Sequence, residues 1–261
     1  MISVVIRNKN QAQSLAFLLS NLTRRYLNDI AEIIVIDNKS TDASEAIAKQ
    51  FNARFETIDP FSYGGSANFA AEKALHDIVV IFSAHSYPVS PDFFKVIESQ
   101  FLNNKNLAGL RCLHSSNDYR NYINGVSAKD DPNKSGLIFS GSAFSKNVWK
   151  SIPFNEEVPT FEDKDWTRRV LKAGYDIEFA PVVFSYDIGR TAKQLHFRFK
   201  NDLLGNYQIW HTEPKLLSVI KGTLVQLLHA FKTCFLSILY AFKRLWSVIV
   251  FKCRKPKPFN Y

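Results

Sequence analysis

Carboxylates run out at Glu213. The nine charged residues after it, from Lys215 to Lys257, are all lysine or arginine. Of 33 basic residues, 24 therefore remain to balance the 24 acidic ones, so the body is neutral and the formal charge of +9 belongs to the tail. A nucleic-acid binder carries its basic residues on a folded face, and this distribution argues against one. Cysteine is scarce: Cys112, Cys234 and Cys253 are scattered with no CxxC pair. That excludes a disulfide scaffold or zinc module and fits a reducing compartment. No GxGxxG follows the first strand and no GxxxxGK[ST] occurs anywhere, so dinucleotide-binding and P-loop readings lack support. Met1 leads straight into ISVVI without a basic leader, which reads as no signal peptide. There is no internal repeat.

What is present fits one large domain plus an appendage. With 46% hydrophobic residues the chain builds a sizeable core. Strand and helix signals alternate: Ile2 to Ile6, then helical spacing over Gln11 to Arg25, then Glu32 to Ile36. Next come a helix over Thr41 to Phe51, capped by Ser40 or Thr41, a short strand over Arg54 to Ile58, and a helix over Ser66 to Leu75 opened by Gly64 and Gly65. Ile78 to Phe82 reads as a strand buried on both faces. This βαβαβαβ order predicts a mostly parallel sheet with helices on both faces. Asn117 to Ser135 reads as a loop that orders on binding. Leu137 to Phe144 is strand-like, Asn147 to Ile152 and Lys164 to Ala173 are helices, and Ile177 to Phe184 is the last strand.

Polar clusters gather where the strands end: Arg7-Asn8-Lys9-Asn10, Asp37 to Asp42, and Ser83-Ala84-His85-Ser86. Each alone reads as turn and cap chemistry. Three at one sheet edge, beside a glycine-opened helix, favour a ligand crevice.

At these residues the sequence resembles the inverting, GT-A fold glycosyltransferases of family 2. The resemblance rests on SVVIRNKNQ, IIVIDNKSTDAS, YGGSANFAAEKA and PTFEDKDWTRRVLKAGYDI, with FSGSAFSKNVWKSIPF before the last, and spans about residues 1 to 200. It implies a catalytic domain over 1–213 that takes a nucleotide-sugar donor of the UDP or dTDP type. The acceptor would be a glycan or lipid-linked glycan, in bacterial surface polysaccharide assembly, with rhamnosyltransferase-like relatives. It implies that Asp163, with Glu162 beside it, is the base that deprotonates the acceptor hydroxyl. The bland alternative is that these carboxylates cap the next helix. Asp37 would accept from the nucleobase, Asn8 would line base and ribose, and Gly65, Asn68, Ser83 and His85 complete the donor site. Where the family has Asp-x-Asp, its holder of Mn2+ or Mg2+, this chain has Ser83-Ala84-His85. His85 is then a metal ligand, with Asp187 supplying the missing charge, or it donates directly to the diphosphate. Arg190, Lys193, His196 and Arg198 either close over that diphosphate or form a solvated helix face. A non-catalytic, glycan-binding or scaffolding relative is the alternative to an enzyme.

The tail, 214–261, repeats apolar residues every three or four positions, from Leu217 to Ile249. That spacing predicts one or two amphipathic helices. No charge-free run exceeds that of Thr233 to Phe242, about half a bilayer span, which argues against a crossing helix. An apolar stripe with Trp246 and lysines suits an anionic membrane surface contacted through 214–255, which places the protein in the cytoplasm on the inner face of the membrane. The other reading is a helical hairpin docked on protein.

Overall fold

Every residue of β1 (Ile2–Asn8) is buried. Successive side chains of a strand point to opposite faces, so β1 feeds two separate cores. Ile2, Val4 and Ile6 join Val80 and Phe82 on one face. There they meet Leu15, Leu18, Leu19 and Leu22 of α1 (Ala12–Arg25) and Phe93, Phe94 and Ile97 of α4 (Phe93–Asn103). Val5 joins Ile34, Ile36, Val79 and Ile81 on the other. Its cover is Ala67, Ala70 and Ala71 of α3 (Tyr63–Lys73) with Trp166 and Val170 of α8 (Glu162–Lys172). This is the expected sheet with helices on both faces.

The chain is a computed structural model that describes residues 1–186 and 189–259. The remaining strands are β2 (Glu32–Asp37), β3 (Arg54–Thr57), β4 (Ile78–Ser83), β5 (Ser86–Pro88), β6 (Leu107–Leu113), β7 (Ser142–Ser145) and β8 (Asp176–Tyr186). The remaining helices are α2 (Ser44–Gln50), α5 (Ser116–Ile123), α6 (Pro132–Ser135), α7 (Lys146–Ser151), α9 (Ala192–Trp210) and α10 (Leu216–Cys253). The sheet order is β3-β2-β1-β4-β7-β6-β8-β5. β1 pairs in parallel with both β2 and β4, so the order reverses around it. In open α/β sheets such a reversal opens a crevice at the carboxyl ends of the strands. Register puts Asn8 opposite Asp37 and Arg7 opposite Ser83 at that edge.

β7 breaks the parallel pattern by running antiparallel between β4 and β6. Of the expected Leu137–Phe144 strand only Ser142 to Phe144 is extended ladder; the stretch before it turns across the carboxyl end of β4, where Gly141 N–H donates to Ile81 O at 2.7 Å. Gly141 has φ +74, and a Cβ there would stand 2.5 Å from the Phe184 ring, so no other residue fits. Asn117 to Ser135 departs from the loop expected for it, since it holds most of α5 and all of α6. Ser115 caps α5 by accepting from Asp118 N–H. Asp118 is itself buried between Arg111, at 2.5 Å, and His114, an ion pair that polar composition alone does not reveal. The cap of α2 also differs. It starts at Ser44, whose N–H donates to Asp42 at 3.1 Å, while Ser40 is engaged elsewhere.

The chain divides into units Met1–Trp210 and His211–Tyr261. Taken by itself, the second is one uninterrupted helix, α10, of 38 residues. At 1.5 Å per residue this exceeds a bilayer's hydrocarbon thickness. It includes an apolar window of mean hydropathy 1.6. By length and composition it therefore meets the requirement for crossing a membrane, which the count of charge-free residues argued against. The difference is physical: one or two lysines inside a long helix can reach the interface through their own aliphatic stems.

Candidate active site

The crevice is a cleft of about 630 Å³ lined by the ends of β1 and β4, the segment 160–163, Phe139 and one face of α9. Asn8, Ser83, His85, Glu162 and Asp163 all line it; Asp37, Gly65 and Asn68 do not. Asp187 lies outside the described residues.

Asp37 is buried, and both its oxygens are engaged: Oδ1 accepts from Asn8 Nδ2 at 2.8 Å and Ser40 Oγ at 2.6 Å, and Oδ2 from Ser40 N–H at 2.6 Å. Oδ2 keeps one unused lone pair, but Asp37 does not line the cleft, and in this structure its Oδ1 orients Asn8. Asn8 Nδ2 faces Asp37 and, at 3.3 Å, Ser40 Oγ, whose proton is already given to Asp37. Every neighbour on that side is an acceptor, so the amide NH2 must point there. Asn8 Oδ1 is left as a buried acceptor with no partner among the described residues. An unpaired buried acceptor costs roughly 1–3 kcal/mol.

Asn68 is a clamp rather than a ligand-binding residue. Its Oδ1 accepts from Trp149 Nε1 and Phe154 N–H, both at 2.9 Å, and its Nδ2 donates to Phe154 O and Glu156. Asn68→Ala orphans these groups and should lower stability by about 2–3 kcal/mol, measured by urea unfolding. Gly65 likewise serves the helix start, its N–H donating to Ser62 Oγ at 2.9 Å.

The carboxylate pair opens α8, behind Phe161 in a left-handed conformation (φ 66). For a non-glycine residue that backbone is strained, and such strain concentrates at functional sites. It turns both carboxylates toward the cleft. Asp163 is half-buried and held by two backbone donors: Phe139 N–H at 3.0 Å on Oδ2 and its neighbour Lys164 N–H at 2.7 Å on Oδ1. Glu162 is buried, with Arg7 Nη1 at 3.5 Å. Burial, then the charge of Asp163, push its carboxyl up to about 7 against the opposing pull of Arg7. Arg7 donates to Phe139 O at 2.8 Å and lies between the Tyr63 and Phe139 rings. Phe139 thus ties Arg7 and Asp163 together through one residue's backbone. Beneath, Lys164 is buried against the carbonyls of Asn133 and Gly136, and burial brings its ammonium down to about 8.

At the end of β4, Ser83 N–H donates to Ser140 Oγ at 2.9 Å, while Ala84 is buried. His85 Nδ1 lies 2.7 Å from Gln11 Oε1. A carbonyl oxygen only accepts, so Nδ1 carries a proton and donates it there. Of the basic stretch after β8, Arg190 and Arg198 line the cleft, together with Gln194, Phe197 and Asn201; Lys193 and His196 do not. Spacing by three and four places Gln194, Phe197, Arg198 and Asn201 on one face of α9, and Arg190 joins them from just before the helix. Phe61, Tyr63, Phe139 and Tyr186 were not singled out from the sequence, where nothing distinguishes an aromatic at a cleft from one in a core.

Residues 3–155 match the profile of Glycosyl transferase family 2. The chain belongs to that family. This family 2 chain is similar to the O-antigen chain rhamnosyltransferase WbaN of Salmonella anatum, with 28% identity over 177 residues, 60% of this chain and 56% of the relative. It is also similar to glycosyltransferase AglE of Haloferax volcanii, with 22% identity over 80% of this chain and 74% of the relative. It thus spans little more than half the length of the first of these. In fold it is similar to the mannosyltransferase PcManGT from Pyrobaculum calidifontis in complex with GDP-Man and Mn2+ (TM-score 0.63, 17% identity, 82% of this chain and 65% of that one). It is similar too to glucosyl-3-phosphoglycerate synthase from Mycobacterium tuberculosis in complex with Mn2+ and UDP-glucose (TM-score 0.60, 17% identity, 80% and 78%). The family match ends before the carboxylate pair of α8, which geometry alone joins to the strand ends.

Proposed function

We propose that this family 2 chain transfers one sugar from a nucleoside-diphosphate donor to a glycan or lipid-linked glycan in a single inverting displacement. The observation that carries this reading is one cleft joining Asp163, held by two backbone donors, to an unmatched acceptor on Asn8, to Arg190 just before α9 and to Arg198 within it. A sugar hydroxyl is a weak nucleophile, and Asp163 removes its proton as it attacks the anomeric carbon. The bond to the diphosphate breaks from the opposite face, and Arg190 and Arg198 offset the charge that develops there. Glu162, paired with Arg7, positions the turn that carries Asp163.

A divalent cation fits this site only in part. Among the described residues no cluster of three or more His, Cys, Asp or Glu side chains is arranged to hold one. Ser83 and Ala84 offer no carboxylate, and His85 is the one imidazole of that strand end. An ion bound there would take His85 from the protein and the rest of its shell from diphosphate oxygens, favouring Mn2+ over Mg2+. Bound, it would act as a Lewis acid on the leaving group.

Asn8 Oδ1 is an acceptor, so it suits a base with a ring N–H: uracil, thymine or guanine rather than adenine or cytosine. Thermal-shift titration with the five nucleoside diphosphates, with and without Mn2+, should raise the melting temperature for UDP, dTDP or GDP and not for ADP or CDP. No shift with any nucleotide would sink the donor reading and favour a non-catalytic relative. The helix α10, apolar and basic without acids, would hold the enzyme at the inner face of an anionic membrane, where a lipid-linked acceptor is found. The rhamnosyltransferase relative lends support to a role in surface polysaccharide assembly.

A further inference from the structure

α9 has a second face that the cleft does not use. Leu195, Phe199, Leu203 and Tyr207 recur every four residues, and they are 54%, 60%, 40% and 55% exposed. On a helix of 3.6 residues per turn they form one stripe, turned well away from Gln194, Phe197 and Asn201. Lys193, His196 and Lys200 stand beside it, all exposed. The helix has one acidic residue, Asp202, and it is occupied by Arg198 at 3.4 Å. An apolar stripe at i, i+4 spacing, bordered by cations and free of unpaired acids, has the chemistry of a helix lying in the headgroup region of an anionic bilayer.

We infer that the outer face of α9 is a bilayer contact of the catalytic unit itself, with phospholipid as its occupant. One helix then does two jobs: its inner face lines the donor cleft and its outer face rests on the membrane. The rim of the cleft is held at the depth where the hydroxyl of a lipid-borne acceptor is presented. This inference rests on the membrane reading of the tail, and the test separates the two.

The full chain, with exposed Cys234 and Cys253 changed to serine and buried Cys112 retained, is labelled with an environment-sensitive fluorophore at Phe199→Cys or, separately, at Phe235→Cys in α10. Vesicles of equal phosphatidylcholine and phosphatidylglycerol should shift the emission of the label at 199 to the blue and raise it several-fold. Pure phosphatidylcholine should do much less. Lys193→Ala with Lys200→Ala should weaken the response at 199 by roughly thirtyfold in lipid concentration, at about 1 kcal/mol per basic residue. A response at 235 with none at 199 overturns the inference and leaves the tail reading standing; silence at both positions overturns both. Emission at 199 already blue-shifted before lipid is added means that protein covers the stripe, and that also overturns it.

Discussion

Asp163→Asn is expected to lower sugar transfer by about 10²–10⁴-fold, the usual contribution of a positioned general base. Nucleotide binding should persist, because the arginines and Asn8 that face the donor are unchanged. The geometry makes this substitution informative. Each oxygen of Asp163 accepts one backbone N–H, from Phe139 and Lys164. Asparagine keeps one of these bonds and turns its NH2 against the other donor. That costs roughly 1 kcal/mol of stability, far too little to account for the loss of turnover. Single-turnover transfer and calorimetric nucleotide titration, run on one preparation, separate the two effects. Turnover within tenfold of the parent protein would remove Asp163 from the base's role and leave Glu162 as the remaining carboxylate in the cleft.

Arg7→Met should destabilise the protein strongly, and much more at pH 8 than at pH 5. Arg7 is buried beside Glu162 at 3.5 Å, and its charge opposes the burial that pushes the Glu162 carboxyl up to about 7. Without Arg7 that carboxyl rises further. A carboxyl raised above its unfolded value binds more protons in the folded state. Its contribution to stability is therefore fully present below pH ~4.5 and is lost as pH rises through the folded value. At pH 5 the variant keeps a neutral Glu162 and loses mainly the hydrogen bond to Phe139 O. At pH 8 it must either ionise a buried, unpaired carboxylate or hold a proton against the solvent, a deficit of about 3–5 kcal/mol. Urea unfolding at the two pH values measures this. Equal losses at pH 5 and pH 8 would show that Arg7 acts through packing between Tyr63 and Phe139 rather than through Glu162.

The second result depends on contacts between residues more than a hundred positions apart, which bears on what could be read in advance. The strands were legible because burial on both faces leaves continuous apolar runs, as in IIVI and IVVIF. The helices α1 and α8 were legible from their period. The polar strand ends were legible as a crevice, because in a parallel sheet carboxyl ends share an edge. Asp37 was assigned to the nucleobase by its place in a motif, yet it is buried behind Asn8, which it orients and which lines the cleft in its place. Asn68 was assigned in the same way and proved to be a clamp, because four partners from the segment around residues 149–156 converge on its amide. In both cases the missing information was which hydrogen bonds the fold had already made.

By itself, the order of residues determined the alternation of strands and helices, the neutral body and basic tail, and the absence of carboxylates at the end of β4. Those are properties of composition and of spacing along one chain. Only the tertiary structure decided that Phe139 bridges Arg7 and Asp163, and that Arg190 and Arg198 turn to the cleft while Lys193 does not. Each of these depends on distance between segments or on helix phase, and both are set by packing rather than by local preference.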